Sequence, residues 1–177
     1  MAAILALLGV FSIPTLALKT YDLSGPENAF VTATMTIDNS KNVADVHIRS
    51  GIYSSDTIFD YWHGYIATRM FSRNACFILK MDKKSFPEIQ EIGRRAYEKQ
   101  TLKKIFSPTN LWVQYTPGNS VIANIKDWFM YGSAIEHLCK DLPIYKLVKT
   151  EAPLNTQHCA DAGIPSILGI KICPKLV

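Results

Sequence analysis

The chain has 177 residues, an apolar share of 48% and a formal net charge of +4. That length suits one ordinary domain with small appendages, and the apolar share supplies a sizeable core. Its nineteen basic and fifteen acidic residues form no long single-sign block, which argues for ordinary solubility and, with no accompanying motif, against a nucleic-acid partner.

Residues 2 to 18, "AAILALLGVFSIPTLAL", carry no charge and run from helix-forming aliphatics to Pro14 and the small-residue site Thr15-Leu16-Ala17. This predicts a secretory signal peptide over residues 1–17, with only the free amino terminus supplying positive charge ahead of the apolar run. An uncleaved anchor needs about 20 apolar residues, and Pro14 interrupts this stretch. The mature chain is therefore expected to be soluble and secreted to the extracellular space, with no membrane contact after signal cleavage.

Beyond the leader, "LKTYDLSGPENA" reads as an irregular lead-in. In "FVTATMTI" the apolar Val31, Ala33, Met35 and Ile37 alternate with threonines, and "VADVHIRS" alternates again after the turn "DNSKN", which predicts a β-hairpin. His47 falls on its polar side as a solvated strand residue. A meander follows: Thr57 to Tyr61, a turn near His63-Gly64, "YIATRMF", a turn at "SRN", and "ACFILKM". Ser85 and Glu88 have capping-box spacing with Pro87 between them, predicting a helix to about Phe106 with Ile89, Ile92 and Ala96 on one face and a bend near Gly93 or Gln100. Its Arg94, Arg95, Lys99, Lys103 and Lys104 read as a solvated face, with attraction of an acidic glycan or protein as the rival. "NLWVQYTP" reads as a strand, "VIANIKDWFMYG" as a mixed apolar segment, and "SAIEHLC" as a second helix begun by a Ser133/Glu136 capping box and stopped by Pro143. "IYKLVKTE" resumes as a strand, "APLNTQHCADAGIP" as loop, and "SILGIKIC" as a terminal strand. The class is α+β.

Cys76, Cys139, Cys159 and Cys173 make an even number in an oxidising compartment, hence two disulfides with three possible connectivities. A zinc site built on His137, Cys139, His158 and Cys159 lacks metal-ligand spacing, so no metal is expected. Cys159 and Cys173 flank a short loop and are paired locally, which leaves Cys76 for Cys139.

Enzyme motifs are scarce: there is no Gly-x-Ser-x-Gly, no His-Glu-x-x-His and no phosphate-binding glycine loop. Asp60 and His63 in "IFDYWHGYIA" stand three apart, so on a regular strand they face opposite ways and could meet only if the turn intervenes. An unpaired buried carboxylate is costly, so Asp60 needs a structural or pH-sensing explanation.

The aspartate of "FDY", a cysteine sixteen positions later (Cys76 in "ACFILKMD") and a second cysteine after a helix-rich interval (Cys139 in "IEHLCKDLP") resemble the signature of the BRICHOS domain. Within that superfamily "TIFDYWHGYIATRMFSRNACFILKMD", "YEKQ", "DWF" and "IEHLCKDLPIYK" are similar to the gastrokines, over about Val31 to the C terminus. The resemblance implies a central antiparallel sheet packed between two helices, preceded by a β-hairpin, and a Cys76 to Cys139 disulfide that agrees with the loop argument. It divides the chain into the signal peptide (1–17), an N-terminal hairpin segment (18–52), a BRICHOS domain (53–150) and a C-terminal β-prone segment (151–177).

It also implies a secreted, non-enzymatic protein of the gastric mucosa, without a cofactor, engaged in epithelial maintenance and growth restraint and able to chaperone β-prone peptides. Asp60 is then structural or pH-sensing, and Tyr61, Tyr65 and Phe77 of the meander are candidate peptide contacts. A β-prone peptide or an extracellular protein is the expected partner, with an epithelial receptor as the alternative reading. Tyr53 stands where some gastrokines carry an extra cysteine able to bond a trefoil-factor partner, which argues against such a covalent pair here. Residues 166–173, apolar and β-branched, are either a core strand or a client-like segment docked on the sheet.

Overall fold

The structure is a computed structural model that describes residues 18–25, 30–82, 84–104 and 106–175. The leader expected over residues 1–17 lies outside the described residues. The first strand, β1 (Lys19–Asp22), pairs antiparallel with β2 (Thr32–Asp38), which in turn pairs with β3 (Val43–Arg49). The lead-in is thus partly a strand. Tyr21 of β1 and Leu23 just after it are buried, and this segment makes a strand only because β2 offers it an edge.

The meander forms as expected, as β4 (Ser55–Asp60), β5 (Tyr65–Met70) and β6 (Ala75–Lys80), each antiparallel to the one before. The hairpin is continuous with it through the β3–β4 ladder. All six residues of β4 are buried, so this strand is covered on both faces, and that explains why it does not alternate apolar with polar residues.

Helix α1 (Ile89–Leu102) buries Ile89, Ile92 and Ala96, the expected stripe. Its start differs from the capping-box expectation: Glu88 is the N-cap without a side-chain cap, and Ser85 donates instead to Asp82 Oδ2 at 2.8 Å. The helix is uninterrupted at Gly93. A methyl there would sit 3.3 Å from Ile37 Cδ1, so this glycine lets α1 approach the β1–β2 edge closely.

After β7 (Thr109–Tyr115), the segment read as mixed and apolar contains a helix, α2 (Ile125–Tyr131), followed at once by α3 (Ser133–Cys139). Among the described residues the α-helices therefore number three where two were expected. Asn124 caps α2 reciprocally: its side chain accepts from Lys126 N at 2.9 Å and Asp127 N at 3.2 Å, and Asp127 Oδ2 accepts from Asn124 N at 2.9 Å. Gly132, not Ser133, is the N-cap of α3.

Strand β8 (Ile144–Lys146) runs parallel beside β6 and completes a seven-stranded sheet in the order β1-β2-β3-β4-β5-β6-β8. One residue later, β9 (Val148–Lys149) joins a second sheet together with β10 (Ala160–Ile164) and β11 (Leu168–Pro174), in the order β10-β11-β7-β9. The stretch read as loop before residue 165 thus holds β10. The whole is α+β with mixed sheets: β11 is antiparallel to β10 and parallel to β7.

One face of the large sheet, with Met35, Val46, Phe59, Ile66, Phe77 and Leu79, packs in a single apolar cluster with α1 and with Leu168, Ile170 and Ile172 of β11. The opposite face, with Ile58, Ala67 and Ile78, packs against Tyr131 and Ile135 of the helix pair. Residues 166–173 are therefore a core strand, the plainer of the two expectations. Ile172→Ala is expected to lower unfolding free energy by about 2–5 kcal/mol, the usual cost of emptying a fully buried isoleucine site. Urea denaturation of the oxidised chain measures it, and an unchanged midpoint would exclude the core assignment.

Candidate functional site

The turn does intervene between Asp60 and His63. Asp60 closes β4, its carbonyl accepts from Gly64 N at 2.8 Å, and the chain reverses over Tyr61–Gly64. The reversal folds the imidazole back over the carboxylate. Asp60 Oδ1 accepts from His63 N at 2.9 Å, and Oδ2 lies 2.7 Å from His63 Nδ1. A carboxylate acceptor places the ring hydrogen on Nδ1. The Asp60 side chain is 3% exposed and that of His63 33%, so the pair is a plug with one wet end. The turn thus supplies the partner that a buried carboxylate requires.

Gly132 lies directly over this pair. A Cβ built on it would stand 2.7 Å from Asp60 Oδ2 and inside van der Waals contact of the His63 ring, at a φ of +89° that side chains avoid. The same residue ends α2, through its N–H to Trp128 O at 2.9 Å, and begins α3, through its carbonyl to Glu136 N at 3.0 Å. One glycine thus serves as C-cap, N-cap and contact plate. At the far end of α3, Cys139 is bonded to Cys76 of β6 across a separation of 63 residues. In the chain-entropy account a loop of that size stabilises by about 4 kcal/mol. Just before Gly132, Tyr131 packs edge-on against Tyr65, with ring centroids 5.0 Å apart. Burial raises the pKa of the Tyr131 phenol, with Asp127 and Tyr65 adding to it.

The second disulfide joins Cys159 to Cys173, a separation of 14 residues. Both pairs are those expected, and they use all four cysteines of the chain. The three aromatic candidates do not converge. Phe77 is 1% exposed in the core, packed with Tyr115 and Tyr145 at centroid distances of 5.0 and 5.3 Å. Tyr65 faces the other way, under α2. Tyr61 donates its hydroxyl to Pro87 O at 2.8 Å, and burial raises its pKa. The strand period puts Phe77 and Tyr65 on opposite faces, so they cannot form one peptide platform in the intact fold. Tyr53, in the 3-10 turn Gly51–Tyr53, is 73% exposed.

Sequence reasoning missed a second cluster. His47 is not merely solvated: Nδ1 lies 2.6 Å from Asp56 Oδ1 and Nε2 3.3 Å from Asp45 Oδ2, while Arg49 Nη1 donates to Asp56 Oδ1 at 2.6 Å. Burial raises the pKa of Asp45, and Asp56 beside it adds to the rise against the opposing pull of His47 and Arg49. The signal was present, since Asp45, His47 and Arg49 occupy alternate positions of one strand. It needed the β3–β4 register to bring Asp56 opposite His47.

The basic face of α1 is partly neutralised from within. Glu91 pairs with Arg94 and Arg95, and Glu98 with Arg94 and Lys104. Hydrogen bonds from Arg94 and Arg95 bring the Glu91 pKa down from 4.5 to about 2. A depressed acid stabilises the fold fully above its unfolded value and loses that contribution as pH falls toward the folded one.

These features have counterparts among known proteins. Residues 51–146 match the model of the BRICHOS domain. Gastrokine-2 of Mus musculus is 42% identical over 98% of this chain and 96% of its own length, and gastrokine-2 of Rattus norvegicus 44% identical over the same shares. Gastrokine-3 of Mus musculus is 30% identical over 96% of this chain and 88% of its own. No solved structure matches significantly. The disulfide-clamped helix pair on a meander sheet, with the match over residues 51–146, defines a BRICHOS-domain protein. The chain belongs to the gastrokine family. Neither family description is that of an enzyme, and no helix among the described residues is long and apolar enough to cross a membrane.

Gly132→Ala is expected to destabilise by about 2–4 kcal/mol, because it adds backbone strain to a collision. Asp60→Asn should cost about 1–3 kcal/mol through a weakened buried hydrogen-bond pair. Chemical denaturation at neutral pH measures both, and a Gly132→Ala protein as stable as the parent would show that the plate has room. The urea midpoint of Glu91→Gln should fall below the parent's at pH 7, and the gap should narrow as pH falls from 4.5 toward 2. A gap as wide at pH 2 as at pH 7 would contradict the pairing.

Proposed function

We propose that the mature chain is a secreted, non-enzymatic protein of the gastric mucosa that binds and shields β-prone extracellular peptides, and thereby contributes to epithelial homeostasis and growth restraint. Gastrokine membership supports the setting. The charge-free leader and two disulfides suit the secretory route. The observation that carries the peptide-binding part is the fate of the chain's own β-prone segment. Leu168, Ile170 and Ile172 are each 2% exposed or less, laid against the face of the large sheet and tethered through Cys173. A fold that shelters such a strand internally has the apolar surface to shelter a similar one from outside.

The partner is a β-prone peptide or an extracellular protein. Neither a nucleic acid nor a cofactor is part of the reading. A disulfide-linked trefoil partner is disfavoured, because position 53 is tyrosine and every cysteine is already paired. One observation favours the second reading, a ligand for an epithelial receptor. Ile122, Ile125 and Phe129 on and just before α2 are 69%, 75% and 82% exposed, and apolar side chains grouped in this way mark interaction surfaces.

Folded, oxidised protein at substoichiometric ratio should lengthen the lag of thioflavin-monitored fibril growth by an amyloid-forming peptide. An unchanged lag would remove the peptide-shielding part of the reading. Saturable binding to epithelial cells, abolished by Phe129→Asp, would then favour the receptor ligand.

A further inference from the structure

A cleft of about 890 Å³ opens where the β3–β5 ends of the large sheet meet the β10–β11 hairpin of the second. Its volume lies in the range of small-molecule sites. The floor is set by strand register: Ile48, Ser55 and Met70 are cross-strand neighbours on the face turned toward the second sheet, and Ile164 of β10 stands opposite.

Two polar features in this cleft are left short of a partner: the Ser55 hydroxyl has none, and Arg73, whose guanidinium lies over the Phe77 and Tyr115 rings, has no counter-ion among the described residues. Ser55 is 2% exposed, and its hydroxyl has no hydrogen-bond partner. A buried, unpaired hydroxyl costs about 1–3 kcal/mol and calls for an acceptor from elsewhere. Arg73, half-buried on the wall, donates only to neutral groups, the Tyr115 hydroxyl and His158 O at 3.1 Å. No carboxylate among the described residues pairs with it. The acid on the same wall, Asp161, is bound to Lys171. Tyr115 accepts from Arg73, so its own hydrogen remains free to donate. The cleft thus offers a guanidinium and a tyrosine hydroxyl on its wall and a serine hydroxyl in its otherwise apolar floor, and its lining acid, Asp161, is already paired.

We propose that this cleft binds a small amphipathic carboxylate, an acid with an acyl or similarly apolar body. The carboxylate accepts from Arg73, Tyr115 and Ser55, and the body lies along Ile48, Met70 and Ile164. A carboxylate satisfies the forked guanidinium and the serine together, which a neutral alcohol of the same length cannot do. The site is separate from the Asp60 face of the sheet and does not depend on peptide shielding.

Isothermal titration of the mature, oxidised chain with dodecanoate, below its micelle concentration, tests the proposal beside dodecanol, which keeps the body without the charge. One-to-one saturable binding of dodecanoate is expected, with dodecanol at least roughly tenfold weaker, the worth of one charge-assisted hydrogen bond. Arg73→Gln should weaken dodecanoate by roughly tenfold or more and Ser55→Ala by a few-fold, with little change for dodecanol. Equal affinity for the two ligands, absence of saturable dodecanoate binding, or undiminished dodecanoate affinity in folded Arg73→Gln would each overturn it. If circular dichroism shows Arg73→Gln unfolded, the comparison of the two ligands on the parent chain decides alone.

Discussion

Helices α2 and α3 have seven residues each, too few to persist in water without tertiary support. Their attachment to the large sheet is the constraint on which the Asp60 side of the molecule depends. It is made at two points, the Cys76 to Cys139 bond at the end of α3 and the seat of Gly132, the joint between the two helices, on Asp60 and His63. With α3 held at both ends, the apolar contacts of Ile135, and of Tyr131 next to the joint, with Ile58, Ala67 and Ile78 form at little further entropic cost. The buried carboxylate is tolerable for the same reason, since it accepts from a backbone N–H and a ring N–H and so meets the requirement that burial imposes.

The other face solves a different problem. A segment as apolar as Leu168–Ile172 would be an aggregation hazard on a free edge. Here it is the inner strand of a four-stranded sheet, flanked by β10 and β7, closed by a disulfide to Cys159 and laid against Phe59, Ile66 and Phe77. The residues between β8 and β9 pass from one sheet to the other, with Leu147 N donating to Ile78 O at 2.8 Å, so the two sheets are coupled through the chain as well as through side chains. The imperfect closure at the β10 end leaves the cleft with its unpaired serine. Surplus hydrogen-bonding capacity and surplus apolar surface thus occur at one place.

Much of this was legible beforehand. Strands β2 and β3 follow from alternation, because period two directly reports which side chains a half-buried sheet must hide, and β4 to β6 follow from short runs bounded by turn residues. The stripe of α1 follows from 3.6-residue spacing. Both disulfides follow from loop length, with the BRICHOS resemblance agreeing on the first. Strands β1 and β10 were not legible: of four and five residues, with one large apolar side chain each, they exist through pairing with a neighbour. Helix α2 was overlooked although Asn124 and Asp127 carry a reciprocal cap, because its outward Ile125 and Phe129 break the amphipathic pattern.

By itself, then, the sequence determined the α+β class, the meander, the Cys159 to Cys173 pair and the family signature, which rest on local spacing, and by elimination the Cys76 to Cys139 pair. Only the tertiary structure decided that Asp60 is paired, that His47 meets Asp56, that Phe77 and Tyr65 lie on opposite sides of the sheet, and that the C-terminal strand is core. Each of these depends on a turn, a register or a sheet-to-sheet contact between residues distant along the chain. Alternation states which side chains share a face; it is silent on what lies across from them.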